Sequence, residues 1–378
     1  MKWLFWSAAG VIAYTYAGYA GWLWLRGHWR RRPVRRAPHT PTVSFVMVVR
    51  NEADVLERKL QNLIELNYPE DLCEIIVVSD GSTDATNQIL SQWSNKYGSN
   101  NSGVHITLFP DSRGKSACLN DAIAMAKNEI IVFTDARQTI EPNAVRFLVE
   151  NFADPAVGCA SGELMLGDPK SGETVKGMGL YWRIEKSVRE MESESGSVVG
   201  ATGALYAVKR SLLSAIPPET VLDDVFIPMN VARQGFRVVF DSRAIAWDVP
   251  SLGVRREFAR KVRTLSGNYQ LVQIAPWLLT SSNPLRFEFV SHKLLRLVAP
   301  FALVAALVSP IVLAGPVYRI ALISQLGFYT LSLLAIAQIK RGPLARIADA
   351  SFTFVVLNTA ALIAFTNFVT GKKAAWVR

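Results

Sequence analysis

The stretch Glu129-Ile130-Ile131-Val132-Phe133-Thr134-Asp135-Ala136-Arg137-Gln138 places a carboxylate where ligand chemistry is expected. Its apolar, β-branched half, Ile130 to Phe133, predicts a buried strand of a parallel sheet, with Asp135 just past its carboxyl end. Open α/β sheets bind ligands at that rim. A carboxylate repels phosphate, so there it either holds a cation that holds the phosphate or ends the strand as a turn or helix cap. Asp80 closes a second strand in the same way. Leu222-Asp223-Asp224 stands at the start of a helix ending at Gly235, where either aspartate could serve only as the cap.

The elements that must position these groups alternate along the chain. Val43 to Val49 reads as a first strand, followed by the Arg50-Asn51-Glu52 turn and a helix with Leu56, Leu60, Leu63 and Ile64 on one face. Glu74 to Val78 is a second strand, running into Ser79-Asp80-Gly81-Ser82-Thr83-Asp84 and a helix that reaches Trp93. After a polar loop from Asn95 to Gly103, His105 to Leu108 supplies a third strand, and Arg113-Gly114-Lys115 opens a helix from Ser116 to Ala126. Short strand and helix units of this kind predict right-handed crossovers and a parallel sheet covered by helices on both faces. Further on come a strand from Val157 to Met165, a charged region from Asp168 to Ser197, and the glycine-bearing turn and strand Gly200 to Val208. The Thr202-Gly203 backbone within that turn lets a ligand approach closely. Val238 to Phe240 is a further strand.

Half of the residues, 50%, are hydrophobic and the mean hydropathy is +0.19, too apolar for an ordinary soluble enzyme of 378 residues. Trp3 to Leu25 carries no charge and is long enough to cross a bilayer, as are Leu297 to Val317, Ile320 to Ile339 and Ala350 to Gly371. The first span lacks a signal-peptide cleavage site and is followed by Arg26, Arg30, Arg31, Arg32, Arg35 and Arg36, so it reads as a retained anchor with the next domain in the cytosol. Anionic lipid headgroups account for that cluster and for the net charge of +10 better than nucleic acid does. Val254, Phe258 and Val262 recur every four residues among Arg255, Arg256, Arg260, Lys261 and Arg263, which predicts a helix lying on the membrane surface. Parity puts the C-terminal tail outside the cytosol, although it carries Lys372, Lys373 and Arg378. The expected organisation is an anchor (1–25), a basic linker (26–41), a cytosolic domain (42–250), interfacial helices (251–293) and three spans with a tail (294–378).

Several chemistries drop out. The three cysteines, Cys73, Cys118 and Cys159, contain no Cys-x-x-Cys and offer no zinc site. No Gly-x-Gly-x-x-Gly follows the first strand, and Gly114-Lys115-Ser116 has Phe109 where a phosphate loop needs its first glycine.

Taken in order, Val48-Val49-Arg50-Asn51-Glu52, Val78 to Asp84, Arg113-Gly114-Lys115, Phe133-Thr134-Asp135-Ala136, Gly200 to Ala204 and Leu222-Asp223-Asp224 resemble the motifs of family 2 glycosyltransferases. The resemblance is to the membrane-embedded branch with a GT-A domain, containing cellulose, hyaluronan, chitin and poly-N-acetylglucosamine synthases, and covers about residues 40 to 275. It implies an α/β GT-A fold with one N-terminal and three C-terminal transmembrane helices. By position it makes Arg50, Asn51, Glu52, Asp80, Lys115, Asp135 and Arg137 donor-binding residues, with Asp80 toward the base and ribose and Asp135 also holding Mg2+ or Mn2+. Arg137 replaces the second aspartate of the Asp-x-Asp motif, removing one oxygen ligand and placing a guanidinium near the diphosphate. Asp224 matches the general base, beside Asp223 where glutamate is usual. Arg260-Lys261-Val262-Arg263-Thr264 corresponds to Gln-x-x-Arg-Trp, with Gly267 in register. Arg263 is retained to face the departing diphosphate; Thr202, Gly203, Asp223 and Arg260 fall on the acceptor side, and Thr264 removes the aromatic platform for the acceptor sugar. The lipid-facing alternative for Arg260 and Arg263 is a basic face of the interfacial helix.

The expectation that follows is an inverting enzyme of the inner (plasma) membrane, multi-pass, its catalytic domain cytosolic. It would move a sugar from a UDP-sugar to a growing exopolysaccharide, with translocation through its own spans and export-complex components as candidate partners. A non-processive transferase acting on a lipid-linked acceptor, and a non-catalytic membrane protein that binds nucleotide-sugar, are the alternatives. Sugar transfer needs one carboxylate base and cations at the leaving group, whereas a glycosidase needs two carboxylates across the scissile bond.

Overall fold

The computed structural model describes residues 1–97, 103–168, 173–174, 179–249, 254–336 and 343–372. Helices α1 (Lys2–Ala13) and α2 (Tyr19–Trp29) are joined by a π turn, Tyr14–Gly18. The sheet-bearing region then runs β1 (Val43–Val49), α3 (Ala53–Ile64), β2 (Cys73–Asp80), α4 (Thr86–Tyr97), β3 (Val104–Phe109), α5 (Lys115–Met125) and β4 (Ile130–Phe133). It continues through β5 (Thr139–Ile140), α6 (Ala144–Glu150), β6 (Val157–Asp168), β7 (Glu173–Thr174), α7 (Gly179–Ser195), β8 (Tyr206–Lys209), α8 (Asp223–Arg233) and β9 (Arg237–Asp248). Helices α9 (Val254–Ile274), α10 (Arg286–Phe289), α11 (Leu295–Val312), α12 (Pro316–Ile336) and α13 (Pro343–Val369) complete it.

The sheet order is β3-β2-β1-β4-β8-β6-β9-β5, with β7 on β6. The strands β3, β2, β1 and β4 are mutually parallel, as the sequence predicts. Beyond β4 the sheet becomes mixed, as a mostly parallel GT-A sheet allows: β8 enters antiparallel to both β4 and β6, and β6 and β9 pair in parallel again. The return of β8 after the 200–205 turn brings that turn to the carboxyl rim of β4. Alternation in β1 explains the two cores: Val43, Phe45, Met47 and Val49 join Leu56, Leu60 and Leu90 on one face, while Val46 and Val48 join Leu119, Ala122 and Val225 on the other. Burial on both faces is why β1 and β4 read as unbroken apolar runs.

Three helices are long and apolar enough to cross a membrane: Arg286–Val312, Pro316–Ala335 and Ile347–Val369. The N-terminal helix, interrupted by its π turn, is not among them, but Ala8 packs on Ala302 and Ala306 of α11. Part of the basic linker is tied into the protein rather than left for lipid: Arg36 pairs with Asp241 of β9 at 3.3 Å, and Arg26 with Glu288 of α10. The expected interfacial helix is α9, docked on the last span through Tyr269, which stacks on Phe368 at 4.9 Å between centroids. Of the basic residues in the C-terminal tail, Lys373 and Arg378 lie outside the described residues.

Candidate active site

The carboxyl ends of β1, β2 and β4 meet along one rim, and hydrogen bonds join the turns that leave them. Asn51 takes the left-handed backbone (φ 55°) and its Oδ1 accepts from the Thr83 and Asp84 amides at 2.7 and 3.3 Å. The Asn51 and Glu52 amides donate to Ser82 Oγ and Thr86 Oγ1 at 3.1 and 2.9 Å. Asn51 thereby staples two motif turns together, with Arg50 half-buried beside it. Burial, with the charges of Asp135, Asp84 and Asp54 adding to it, pushes the Glu52 carboxyl up to about 7 against the pull of Arg137.

Asp80 has a different place from the one the resemblance implies. Its side chain is inaccessible, accepting from the amides of Arg113 (2.5 Å) and Gly114 (3.1 Å), from Ser112 Oγ (3.0 Å) and from Cys118 Sγ (3.4 Å). With its lone pairs taken by the 112–114 loop, it shapes the wall of the rim from behind instead of meeting a base or ribose directly. Gly81 is required at this point: its φ is +61° and a Cβ would come within 2.4 Å of the Ser112 nitrogen.

That loop delivers Lys115 to the centre of the site. Its Nζ lies 3.3 Å from Asp135 Oδ1 and 3.3 Å from Asp223 Oδ1. Burial alone would lower the ammonium, but Asp135, Asp223 and Asp224 outweigh it and hold Lys115 charged, with Arg263 opposing from nearby. Asp223 and Asp224 form the first turn of α8, where the helix dipole favours negative charge. The Ala201 amide donates to the Asp224 carbonyl at 2.7 Å, tying the 200–203 turn to α8. Over Gly203, Asp135 Oδ2 and Asp224 Oδ2 converge: a Cβ there would meet them at 3.4 and 3.6 Å. Burial, then the like charge of Asp223, pushes the Asp224 carboxyl up to about 6, against Lys115 and Lys293. Thr202 anchors the same turn, its amide donating to Ser161 Oγ at 3.0 Å, and Arg189 donates to that hydroxyl at 2.8 Å.

Helix α9 closes the site from the side of the candidate spans. Gln270 Oε1 accepts from the Val221 amide at 2.9 Å, and a Cβ on Gly267 would stand 2.6 Å from Leu222 Cγ, so the helix backbone rests on the residue preceding Asp223. Two predicted site arginines are spent elsewhere. Arg260 pairs with Glu257 at 3.4 Å and Asp248 at 3.8 Å, and Arg137 pairs with Asp248 at 3.5 Å. Both are drawn toward Asp248, a buried carboxylate at the end of β9 that needs positive partners. Asp248 was not singled out by any motif; a lone aspartate after an aromatic strand residue gives no pattern to detect.

Lys59 is the other residue that sequence patterning missed. It sits 1% exposed on the core face of α3 and donates to Thr134 Oγ1 and the Gln138 carbonyl, both at 2.8 Å. Burial pushes its ammonium down to about 7, with Asp135 opposing.

The resemblance implies a divalent ion, and the donor set fits one that arrives with its substrate. No group of three or more His, Cys, Asp or Glu converges among the described residues, so the protein builds no closed cage. Magnesium-type ions are commonly held by one or two carboxylates with phosphate and water completing the shell. Asp135, its side chain 41% exposed and Oδ2 over the bare Gly203, offers that single carboxylate.

Comparisons with known proteins bear on the family and the fold. The chain is 24% identical over 238 residues to a poly-β-1,6-N-acetyl-D-glucosamine synthase of Staphylococcus aureus, covering 61% of this chain and 55% of that protein. It is 26% identical over 242 residues to the probable glycosyltransferase YdaM of Bacillus subtilis, covering 61% and 56%. The chain thus spans little more than half of these curated relatives. A solved structure, the mannosyltransferase PcManGT from Pyrobaculum calidifontis in complex with GDP-Man and Mn2+, shares the fold at a TM-score of 0.73 and 23% identity, over 98% of this chain and 99% of that one. Residues 44–216 match the model of Glycosyl transferase family 2: this stretch of the chain is a family 2 domain, and its fold is GT-A.

Proposed function

We propose that this enzyme moves a sugar, with inversion at the anomeric carbon, from a UDP-sugar to a growing exopolysaccharide at the cytosolic face of the inner membrane. The observation that carries this is the convergence of Asp224 and Asp135 over Gly203, beside Lys115 and beneath a helix docked on the last span. A carboxyl raised to about 6 is ionised at neutral pH yet basic enough to take a proton. Asp224 accepts the proton of the acceptor hydroxyl as its oxygen attacks the anomeric carbon from the side opposite the diphosphate. The bond to the diphosphate breaks, and Lys115 and Arg263 meet the charge that develops on the leaving group. Asp135 would hold the divalent ion, which supplies further charge neutralisation to the diphosphate. The Asn51 staple and the Asp80-anchored loop preset the donor side, so little ordering is left for substrate binding.

Thr264 favours a second acceptor, a membrane lipid carrying one sugar. Its side chain is exposed and bonds the Arg260 carbonyl at 3.0 Å, leaving no aromatic face to hold a lengthening chain. Incubating membranes with radiolabelled UDP-N-acetylglucosamine and sizing the product separates the two: a polymer supports the first, a single sugar on lipid the second. Including GDP-mannose tests the donor base. No transfer from any nucleotide sugar would sink both.

A further inference from the structure

Lys59 interrupts the apolar face of α3 formed by Leu56, Leu60 and Leu63, where an uncharged residue would pack at lower cost. Among the described residues its ammonium forms no ion pair. Its two hydrogen bonds go to Thr134 Oγ1 and the Gln138 carbonyl, the two ends of the turn that carries Asp135 and Arg137. Thr134 Oγ1 passes the tie onward, donating to the Ala204 carbonyl at 2.8 Å, next to the Gly203 over which Asp135 and Asp224 meet. Asn62, on the same helix, donates to the Ile140 carbonyl and accepts from the Ile140 amide, at 2.9 and 2.8 Å. One helix therefore grips the turn and the short β5 strand that follows it.

We propose that Lys59 is a positioning residue for the sugar-nucleotide donor: its buried ammonium locks both ends of the Thr134–Gln138 turn and joins it to the Ala204 turn, so that Asp135 faces the diphosphate. This rests on the assignment of the cleft as the donor site. A side chain acting only as core filler would affect stability without regard to ligand, whereas a turn clamp acts on donor affinity.

The test uses the full-length protein in lipid nanodiscs with UDP as probe, with and without Mn2+, and donor kinetics on the same samples. Lys59→Met keeps the length of the side chain and removes the charge; Thr134→Val keeps the shape of the turn and removes the relay. Both are expected to weaken UDP binding and raise the donor KM by about tenfold, with kcat and the acceptor KM within about threefold of the parent. If Lys59→Met gives no cooperative melting, Thr134→Val decides. A folded variant that binds UDP as tightly as the parent overturns the proposal, as does a loss confined to kcat or to the acceptor KM. A parent protein that binds neither UDP nor GDP overturns the donor-site assignment itself, and the proposal with it.

Discussion

If Asp224 is the base, removing its two charged neighbours must move its titration in opposite directions. Its carboxyl stands at about 6 against an ordinary 3.8, a displacement that favours the neutral form by on the order of 3 kcal/mol. Burial is the largest cause and Asp223 the second, so Asp223→Asn returns part of it and leaves the burial share in place. The acid limb of kcat/KM, below which the base is protonated and idle, should then fall by about 0.5 to 1 pH unit. Lys115→Met removes the cation that opposes the shift, and the limb should rise by a similar amount, about 1 unit. The assay is the donor kcat/KM between about pH 5 and 8 at constant saturating Mn2+. Limbs that stay together, or that move the same way, would refute this electrostatic account. Glu52, raised to about 7, is the competing titrant, and Glu52→Gln distinguishes it: a limb that vanishes in that variant belongs to Glu52.

Asp224→Asn should abolish transfer while UDP binding survives; unaltered turnover would remove Asp224 as base. Because a carboxyl whose folded pKa is raised loses stability as pH rises between the unfolded and folded values, the same variant should melt higher than the parent at pH 8 and show little difference at pH 4, as calorimetry can record. Gly267→Ala should cost about 1–3 kcal/mol and most of the activity, since its Cβ would overlap Leu222 and push α9 off the turn before Asp223; denaturant unfolding and initial rates check it. Gly203→Val should leave the melting temperature nearly unchanged while raising the KM of donor and acceptor together, because the added methyls fill the space between Asp135 and Asp224.

The motif turns show where sequence is informative. Polar residues that follow apolar strands must lie at the carboxyl rim of a parallel sheet, so Asp135 was legible there before any coordinates, with Lys115 and Asp224 beside it by the motif resemblance; β1, β2 and β4 were legible too, since burial on both faces leaves an apolar run. The apolar segments near the C-terminus were equally plain, since length and absence of charge decide them. What only the tertiary structure decided depends on partners distant in the chain. The antiparallel entry of β8 is set by pairing, not by propensity. Asp80 and Arg260 changed roles because the 112–114 loop and Asp248 claim their charges, and Lys59 emerged because a charge on a core face looks like a misplaced surface residue until the turn above it is seen. Local pattern encodes which face is buried and where a strand ends; which buried charge meets which carbonyl is settled only when distant segments pack.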